Sequence, residues 1–273
     1  MIYIVPTPIG NLDDMTVRGI KVLSGAKIIF CEDGKITSKL LRLLGIENNP
    51  KYINLVRNNQ FNQSGILLAL SEVCSKELFE IKNIEIKIDN LNNQKQVVNN
   101  SVEQILDSSV TKSNPVKIQN YTDLQTDSDI IAIVTDAGTP GISDPAFEVI
   151  QLLQKLGLDY TVLPGATACI PAIVSSNLVS KEFIFLGFLP LKKNRQSTWN
   201  LIKVSKYPVV IYESCHRIVK LIDEIINNMT PKGQISISQE ISKKNENTWI
   251  GRVSDLPQYK IREKGEFVVV LKN

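Results

Sequence analysis

Apolar runs and helical patterns alternate along the chain from its first residues. Ile2-Tyr3-Ile4-Val5 is a β-branched run stopped by Pro6, which predicts a buried strand. A turn-rich loop follows, Pro6-Thr7-Pro8-Ile9-Gly10-Asn11. Val17, Ile20, Val22 and Leu23 then recur at helical spacing, so a helix is expected to start near Thr16. Residues 27–31 read as a second strand, broken at Glu32-Asp33-Gly34. Thr37 is placed to cap a further helix whose apolar positions, Leu40, Leu41, Leu43 and Leu44, stop at Gly45. Strand, loop and helix in repetition is the rhythm of an open α/β sheet.

Residues 58–128 break that rhythm. A helix is expected over 65–78, and Asn, Gln, Lys and Ile then dominate. Six of the eighteen residues from 83 to 100 are asparagine, which marks a polar insertion with no chemistry of its own. Alternation at Ile84, Ile86 and Ile88 suits a surface hairpin within it. Regular structure resumes at residues 130–134, the strongest strand pattern in the chain. It leads into the loop Thr135-Asp136-Ala137-Gly138-Thr139-Pro140-Gly141-Ile142-Ser143-Asp144-Pro145. A helix through Leu156, a strand over 160–163, the loop Pro164-Gly165-Ala166-Thr167 and a helix over 168–176 complete a first domain, residues 1–180. Strands at 183–188, 209–212, 235–238 and 267–271 predict a second sheet in residues 181–273. The boundary falls near 178–182, and the fold class is two-domain α/β.

Composition adds exclusions. Hydrophobic residues make up 43% and charged residues 22% of 273, ordinary globular usage that fits neither a disordered chain nor a coiled coil. A net charge of +3 is too mild to announce a nucleic-acid binder by itself. One histidine and four scattered cysteines without a CxxC pair argue against zinc and against a disulfide framework. No apolar run has membrane-spanning length, and the N-terminus lacks the pattern of a secretory signal, so a cytoplasmic protein with no membrane partner is expected.

Three loops, 6–11, 135–145 and 164–168, follow the carboxyl ends of expected strands, where open parallel sheets bind ligands. Any one of them is explained by turn chemistry alone. Together they make a stronger case, because ten residues of the middle loop hold two Asp, two Gly, two Pro, a Ser and a Thr. Neither GxGxxG nor a P-loop is present.

VPTPIGNLDDMT, CEDGKIT, VTDAGTPGISDP, VLPGATA, GFLP, YESCHR and KGEFVVVL occur in this order. With these motifs the chain closely resembles the tetrapyrrole methylase superfamily, in its bacterial branch that methylates small-subunit ribosomal RNA. The resemblance spans nearly everything except residues 58–128. It implies two α/β domains, each a sheet with flanking helices, with S-adenosylmethionine in the ligand cleft between them. It also implies a homodimer and transfer of methyl to the 2′-hydroxyl of a cytidine in the decoding region of 16S ribosomal RNA. Carried over by position, the methyl donor would meet Pro8, Asp136, Gly138, Thr139, Ile142, Ser143, Gly165, Ala166 and Thr167. Phe188, Leu189 and Tyr212 would wall the adenine.

Several positions depart from the family pattern. EDTR has become Glu32-Asp33-Gly34-Lys35, and lysine keeps the charge of arginine without its bidentate fork. A His-rich YHEHN stretch is replaced by Asn54-Leu55-Val56-Arg57-Asn58-Asn59, and SPHR reads Ser214-Cys215-His216-Arg217. A ribose hydroxyl needs a base to become a good nucleophile, and Glu32, Asp33, Glu213 and His216 are candidates. Glu32-Asp33 also suits the N-terminus of the next helix, and a lone histidine is more often a surface or capping residue. Lys35, Lys192, Lys193, Arg195 and Arg217 are candidate contacts for RNA phosphates. Trp199 and Trp249 fit core packing better than base stacking. Two other readings remain open: a methylase of small tetrapyrrole-type molecules, whose first loop is normally GxGPGD-like, and a degenerate RNA-binding protein without catalysis.

Overall fold

A computed structural model of the chain describes residues 1–57, 60–73 and 129–273. The expected hairpin at 84–88, the end of the 65–78 helix and most of the polar insertion lie outside the described residues. The rest divides into two compact units, Met1–Thr7 with Met15–Gly165 and Pro8–Asp14 with Ala166–Asn273.

The first unit is a parallel sheet. Its strands are β1 (Ile2–Ile4), β2 (Ala26–Cys31), β3 (Lys51–Asn54), β6 (Ile130–Ile133) and β7 (Tyr160–Val162), in the order β3-β2-β6-β1-β7. A two-residue hairpin, β4 (Val56–Arg57) and β5 (Gln60–Phe61), precedes helix α3 (Gln63–Val73). Alternate side chains feed two cores. Ile2, Ile4, Phe30, Ile131 and Ile133 pack under α3 and α4 (Ala146–Lys155). Tyr3, Val5, Ile29, Ala132 and Val134 pack under α1 (Val17–Gly25) and α2 (Gly34–Leu43). Burial on both faces explains why these strands are continuously apolar.

Thr16 caps α1 by accepting from the Gly19 amide at 3.0 Å, as its spacing predicts. The expected cap of α2 is corrected. Asp33 is the N-cap and accepts from the Lys35 amide at 2.7 Å. Thr37 lies buried inside the helix and donates to the Asp33 carbonyl at 3.0 Å. A carboxylate is the better acceptor for exposed helix-end amides, and Thr37 satisfies its hydroxyl one turn further in.

The second unit is a mixed sheet, β11-β10-β12-β9-β8, made of β8 (Ile184–Phe188), β9 (Val209–Ser214), β10 (Gln234–Gln239), β11 (Asn247–Arg252) and β12 (Glu266–Lys272). Only the β8–β9 pair is parallel. Helices α6 (Arg195–Val204) and α7 (Ile218–Asn228) cover one face through Trp199, Ile202, Leu221 and Ile225. The other face takes α5 (Cys169–Ser176) through Cys169, Ala172 and Ile173. Because α5 packs with this sheet, the chain passes into the second unit at Gly165/Ala166, ahead of the 178–182 expected from the change in pattern. The early segment Pro8–Asp14 also belongs to this unit. Ile9 packs beside Cys169, Gly10 lies where a Cβ would sit 2.3 Å from Lys243 Cγ, and Asp14 accepts from the Ser242 hydroxyl.

Candidate active site

Strand order points to a candidate site in the first unit. The connection leaving β1 runs to β2 on one side, whereas the one leaving β6 runs to β7 on the other. The neighbours β1 and β6 therefore flank the topological switch point, and their carboxyl-end loops are where a ligand is expected. Those loops are joined. Thr7 and Gly138 exchange both main-chain hydrogen bonds at 3.0 Å, and the Thr7 hydroxyl donates to the Thr135 carbonyl at 3.0 Å. Gly138 has φ 86°, a backbone state that favours glycine. Gly165 closes the group from the end of β7, since a Cβ there would sit 2.4 Å from Pro6 Cβ. Thr7 is a site residue that sequence reasoning misses; its one signal is a hydroxyl set between two prolines at a strand end.

The rest of the middle loop is held by its own acid. Asp144 accepts from the amides of Gly141 and Ile142 and from Ala146, the first residue of α4, at 2.9–3.1 Å. The loop then lifts Ile142 and Ser143 to the surface, with Ser143 in the left-handed region at φ 66°. A non-glycine residue in that state is strained, and such strain gathers at ligand sites. Thr139 is half-buried.

Glu32 and Asp33 follow β2, next to Asp136 in the loop after β6. The Asp136 amide reaches Glu32 Oε2 at 3.4 Å, and the Asp33 main chain hydrogen-bonds the Asp136 carboxylate. Burial pushes the Glu32 carboxyl up, opposed by the Asp136 amide and reinforced by the charges of Asp136 and Asp144. Burial likewise pushes Asp136 up, the Asp33 hydrogen bond opposes it and the Asp33 charge adds to it. Asp136 Oδ1 is buried without a hydrogen-bond partner. An orphan acceptor beside a left-handed loop fits the amino or hydroxyl donors of S-adenosylmethionine. Asp33, by contrast, has its carboxylate engaged in capping α2.

Candidate residues of the second unit form their own cluster. Tyr212 makes a side-chain hydrogen bond with Thr167, and burial raises its phenol. Its ring stands edge-on to Phe185 at 4.9 Å and to Phe188 at 5.8 Å. Phe188 is half-exposed and offers the kind of aromatic surface an adenine packs against. Leu189 does not share that role. Its side chain is buried in the core under α6 and α7, leaving only its carbonyl, which accepts from Arg217. Ala166 is half-buried, and Pro8 opens the segment that packs into this unit.

Three candidates are held in two ion pairs. Arg195 meets Glu224 through Nε at 2.9 Å and Nη2 at 2.6 Å, and donates from Nη1 to the Pro190 carbonyl at 2.6 Å. Trp199, buried as expected, donates to the same Glu224 at 3.1 Å. Burial would raise Glu224, but the hydrogen bonds of Arg195 and Trp199 and the Arg195 charge outweigh it and hold the carboxyl low. Arg195 is thus committed inside the fold, while Lys35, Lys192 and Lys193 are exposed. Glu213 is fully enclosed and paired to Arg217 Nε at 2.6 Å, a poor setting for a base that must touch substrate. His216 is exposed in the turn after β9, and Trp249 stacks on Tyr259 at 4.5 Å. Among the described residues, no group of three or more His, Cys, Asp or Glu is placed to hold a metal ion, and no helix is long and apolar enough to cross a membrane.

The chain is similar to known proteins over almost its whole length. The profile of the tetrapyrrole (corrin/porphyrin) methylases matches residues 1–257. Proteins named ribosomal RNA small subunit methyltransferase I are similar in sequence. The one from Hydrogenobaculum sp. is 32% identical over 99% of this chain and 94% of its own. The one from Coprothermobacter proteolyticus is 29% identical over 99% and 97%. In structure the chain is similar to the uroporphyrin-III C-methyltransferase of Thermus thermophilus complexed with S-adenosyl homocysteine. That match has a TM-score of 0.53 and 12% identity over 100% of this chain and 97% of the other. The switch-point loops, the two-sheet architecture and the full-length match lead to one assignment: the chain belongs to the tetrapyrrole methylase family.

Proposed function

We propose that the protein transfers the methyl group of S-adenosylmethionine to the 2′-hydroxyl of a cytidine in the decoding region of 16S ribosomal RNA. Full-length similarity to proteins named as small-subunit ribosomal RNA methyltransferases supports the substrate class. The observation that carries the chemistry is the joined pair of loops at the β1–β6 switch point, with the unpaired Asp136 oxygen beside them. The donor supplies an already activated methyl on a sulfonium, so this chain mainly has to bind, orient and remove one proton. Asp136 and the backbone of Gly138, Ile142 and Ser143 are suited to the polar parts of the donor. Phe188 and Tyr212 are suited to its adenine.

Among the four candidate bases, Glu32 is the one the local geometry favours. Its carboxylate is half-buried, raised by that burial and not consumed by a cap or an arginine. As the new bond from the ribose oxygen to the methyl carbon forms and the carbon–sulfur bond breaks, the hydroxyl proton passes to Glu32. The exposed Lys35, Lys192 and Lys193, with Arg217, are proposed to meet RNA phosphates. We further propose a cytoplasmic homodimer, for which sedimentation at twice the chain mass is the test.

The deciding experiment is transfer of labelled methyl to small ribosomal subunits that lack the modification, followed by alkaline hydrolysis. A 2′-O-methyl group protects its own phosphodiester, so label in an alkali-resistant dinucleotide beginning with cytidine is expected. Donor binding without label transfer overturns the proposal and favours the degenerate RNA-binding reading, to which the Gly34-Lys35 departure points.

A further inference from the structure

Glu213 is the most deeply enclosed ionisable group in the second unit that the proposed chemistry does not use. It sits near the end of β9 with no exposed side-chain surface. Oε1 accepts from Arg217 Nε at 2.6 Å and from the Ser214 amide at 2.9 Å. Oε2 is buried and has no partner. A carboxylate desolvated on that scale is costly, and it persists where its partner's placement matters.

The partner is held on more than one side. Arg217 Nη1 donates to the Leu189 carbonyl at 3.3 Å, and the guanidinium carbon lies 5.9 Å from the centre of the Phe188 ring. These contacts take the Nε edge and one Nη1 proton. The Nη2 side is left, and the residue keeps 23% of its side-chain surface exposed. A planar guanidinium fixed through Nε and Nη1 keeps its Nη2 donors for a further acceptor, such as an oxygen of a phosphate. A carboxylate on a flexible surface would not fix that plane, whereas one locked inside a strand does.

We infer that Glu213 is a positioning residue: it orients Arg217 so that the open edge of the guanidinium receives one phosphate of the RNA substrate. This rests on the reading that the substrate is RNA. It replaces the expectation that Glu213 is a base, because no ribose hydroxyl reaches a side chain without exposed surface.

A double-mutant cycle tests it, with unmodified small ribosomal subunits as the probe. Binding is measured between low and high KCl for wild type, Arg217→Ala, Glu213→Gln and the double variant, and donor affinity is measured with S-adenosylhomocysteine. Arg217→Ala is expected to weaken subunit binding about tenfold and to lower the salt slope by about one. Glu213→Gln is expected to weaken binding in the same sense, with donor affinity unchanged. The double variant should be no weaker than Arg217→Ala, because Glu213 acts only through Arg217. At saturating subunits kcat should be retained while KM rises.

Losses that add in the double variant, or a fall in kcat whose pH profile changes with Glu213→Gln, overturn the inference. So does Arg217→Ala with unchanged affinity and salt slope. Should Glu213→Gln fail to fold, Glu213→Asp, one methylene shorter, is read in the same way. Wild-type protein that transfers no methyl to the subunits removes the functional reading instead, a result distinct from any of these.

Discussion

Thr7 and Gly138 exchange amide and carbonyl hydrogen bonds, both at 3.0 Å, and so tie the loop after β1 to the loop after β6. Each residue is buried, and Gly138 takes φ 86° to make the exchange possible.

Gly138→Ala is therefore expected to strain the bridge by roughly 1–2 kcal/mol, the cost of a side chain in left-handed backbone. Calorimetry should show weaker S-adenosylhomocysteine binding alongside a lower midpoint in urea. Unchanged donor affinity in a destabilised protein would separate the bridge from the ligand.

Glu32 and Asp136 both have carboxyls raised by burial. The folded state then binds protons more tightly than the unfolded chain, so each group costs stability as pH rises past the unfolded carboxyl value of about 4. Glu32→Gln and Asp136→Asn should be more stable than wild type at neutral pH. The gain should vanish in acid below that value. Urea denaturation at pH 7.5 and at low pH reads the difference directly. Methyl transfer should fall in both variants, the usual exchange of stability against activity at such sites.

Arg195 and the two lysines before it should behave in opposite ways. Removing Arg195 leaves Glu224 with the Trp199 hydrogen bond and the Lys220 charge, and a cost of roughly 2–4 kcal/mol is expected, less than for a fully enclosed pair. Lys192→Ala with Lys193→Ala should leave thermal stability unchanged and lower the salt slope of RNA binding by about one for each phosphate no longer neutralised.

Asp144 holds the loop 141–146 through three main-chain amides. Asp144→Ala should cost about 1–2 kcal/mol, as for a helix deprived of its cap. Asp144→Asn should recover only part of it, because Ile142 and Ala146 bond different oxygens and the amide keeps one acceptor while its NH2 faces a donor. Hydrogen exchange at Gly141, Ile142 and Ala146 would report the opening amide by amide.

Much of this architecture was legible because both faces of the parallel sheet are buried. Residues 2–5 and 130–134 show it, as does the helical repeat from Val17 to Leu23. Strand β11 was not legible: it is an edge strand with mostly half-exposed and exposed residues, so Asn247–Arg252 carries no apolar run. Helix α6 hid behind its basic start, since only Trp199 and Ile202 along it are buried. At the site, the sequence marks the acids but not their employment. Asp33 is a cap, Asp144 ties its own loop, Glu213 is enclosed, and Arg195 is spent on Glu224, distinctions that depend on burial and partners rather than residue type. Thr7 carries only the faint mark of a hydroxyl between two prolines, because that hydroxyl matters only against Thr135, a residue 128 positions away.

The assignment of Pro8–Asp14 to the second unit also sets an order of events during synthesis. Asp14 is bound to Ser242, 228 residues later in the chain. At ribosomal speeds, roughly 10–50 s separate the two. Throughout that interval the segment lacks its contacts with Ser242 and Lys243, which come only when the β10–β11 turn has been made. The contacts that bind this early segment into the second unit are therefore among the last to be completed during synthesis.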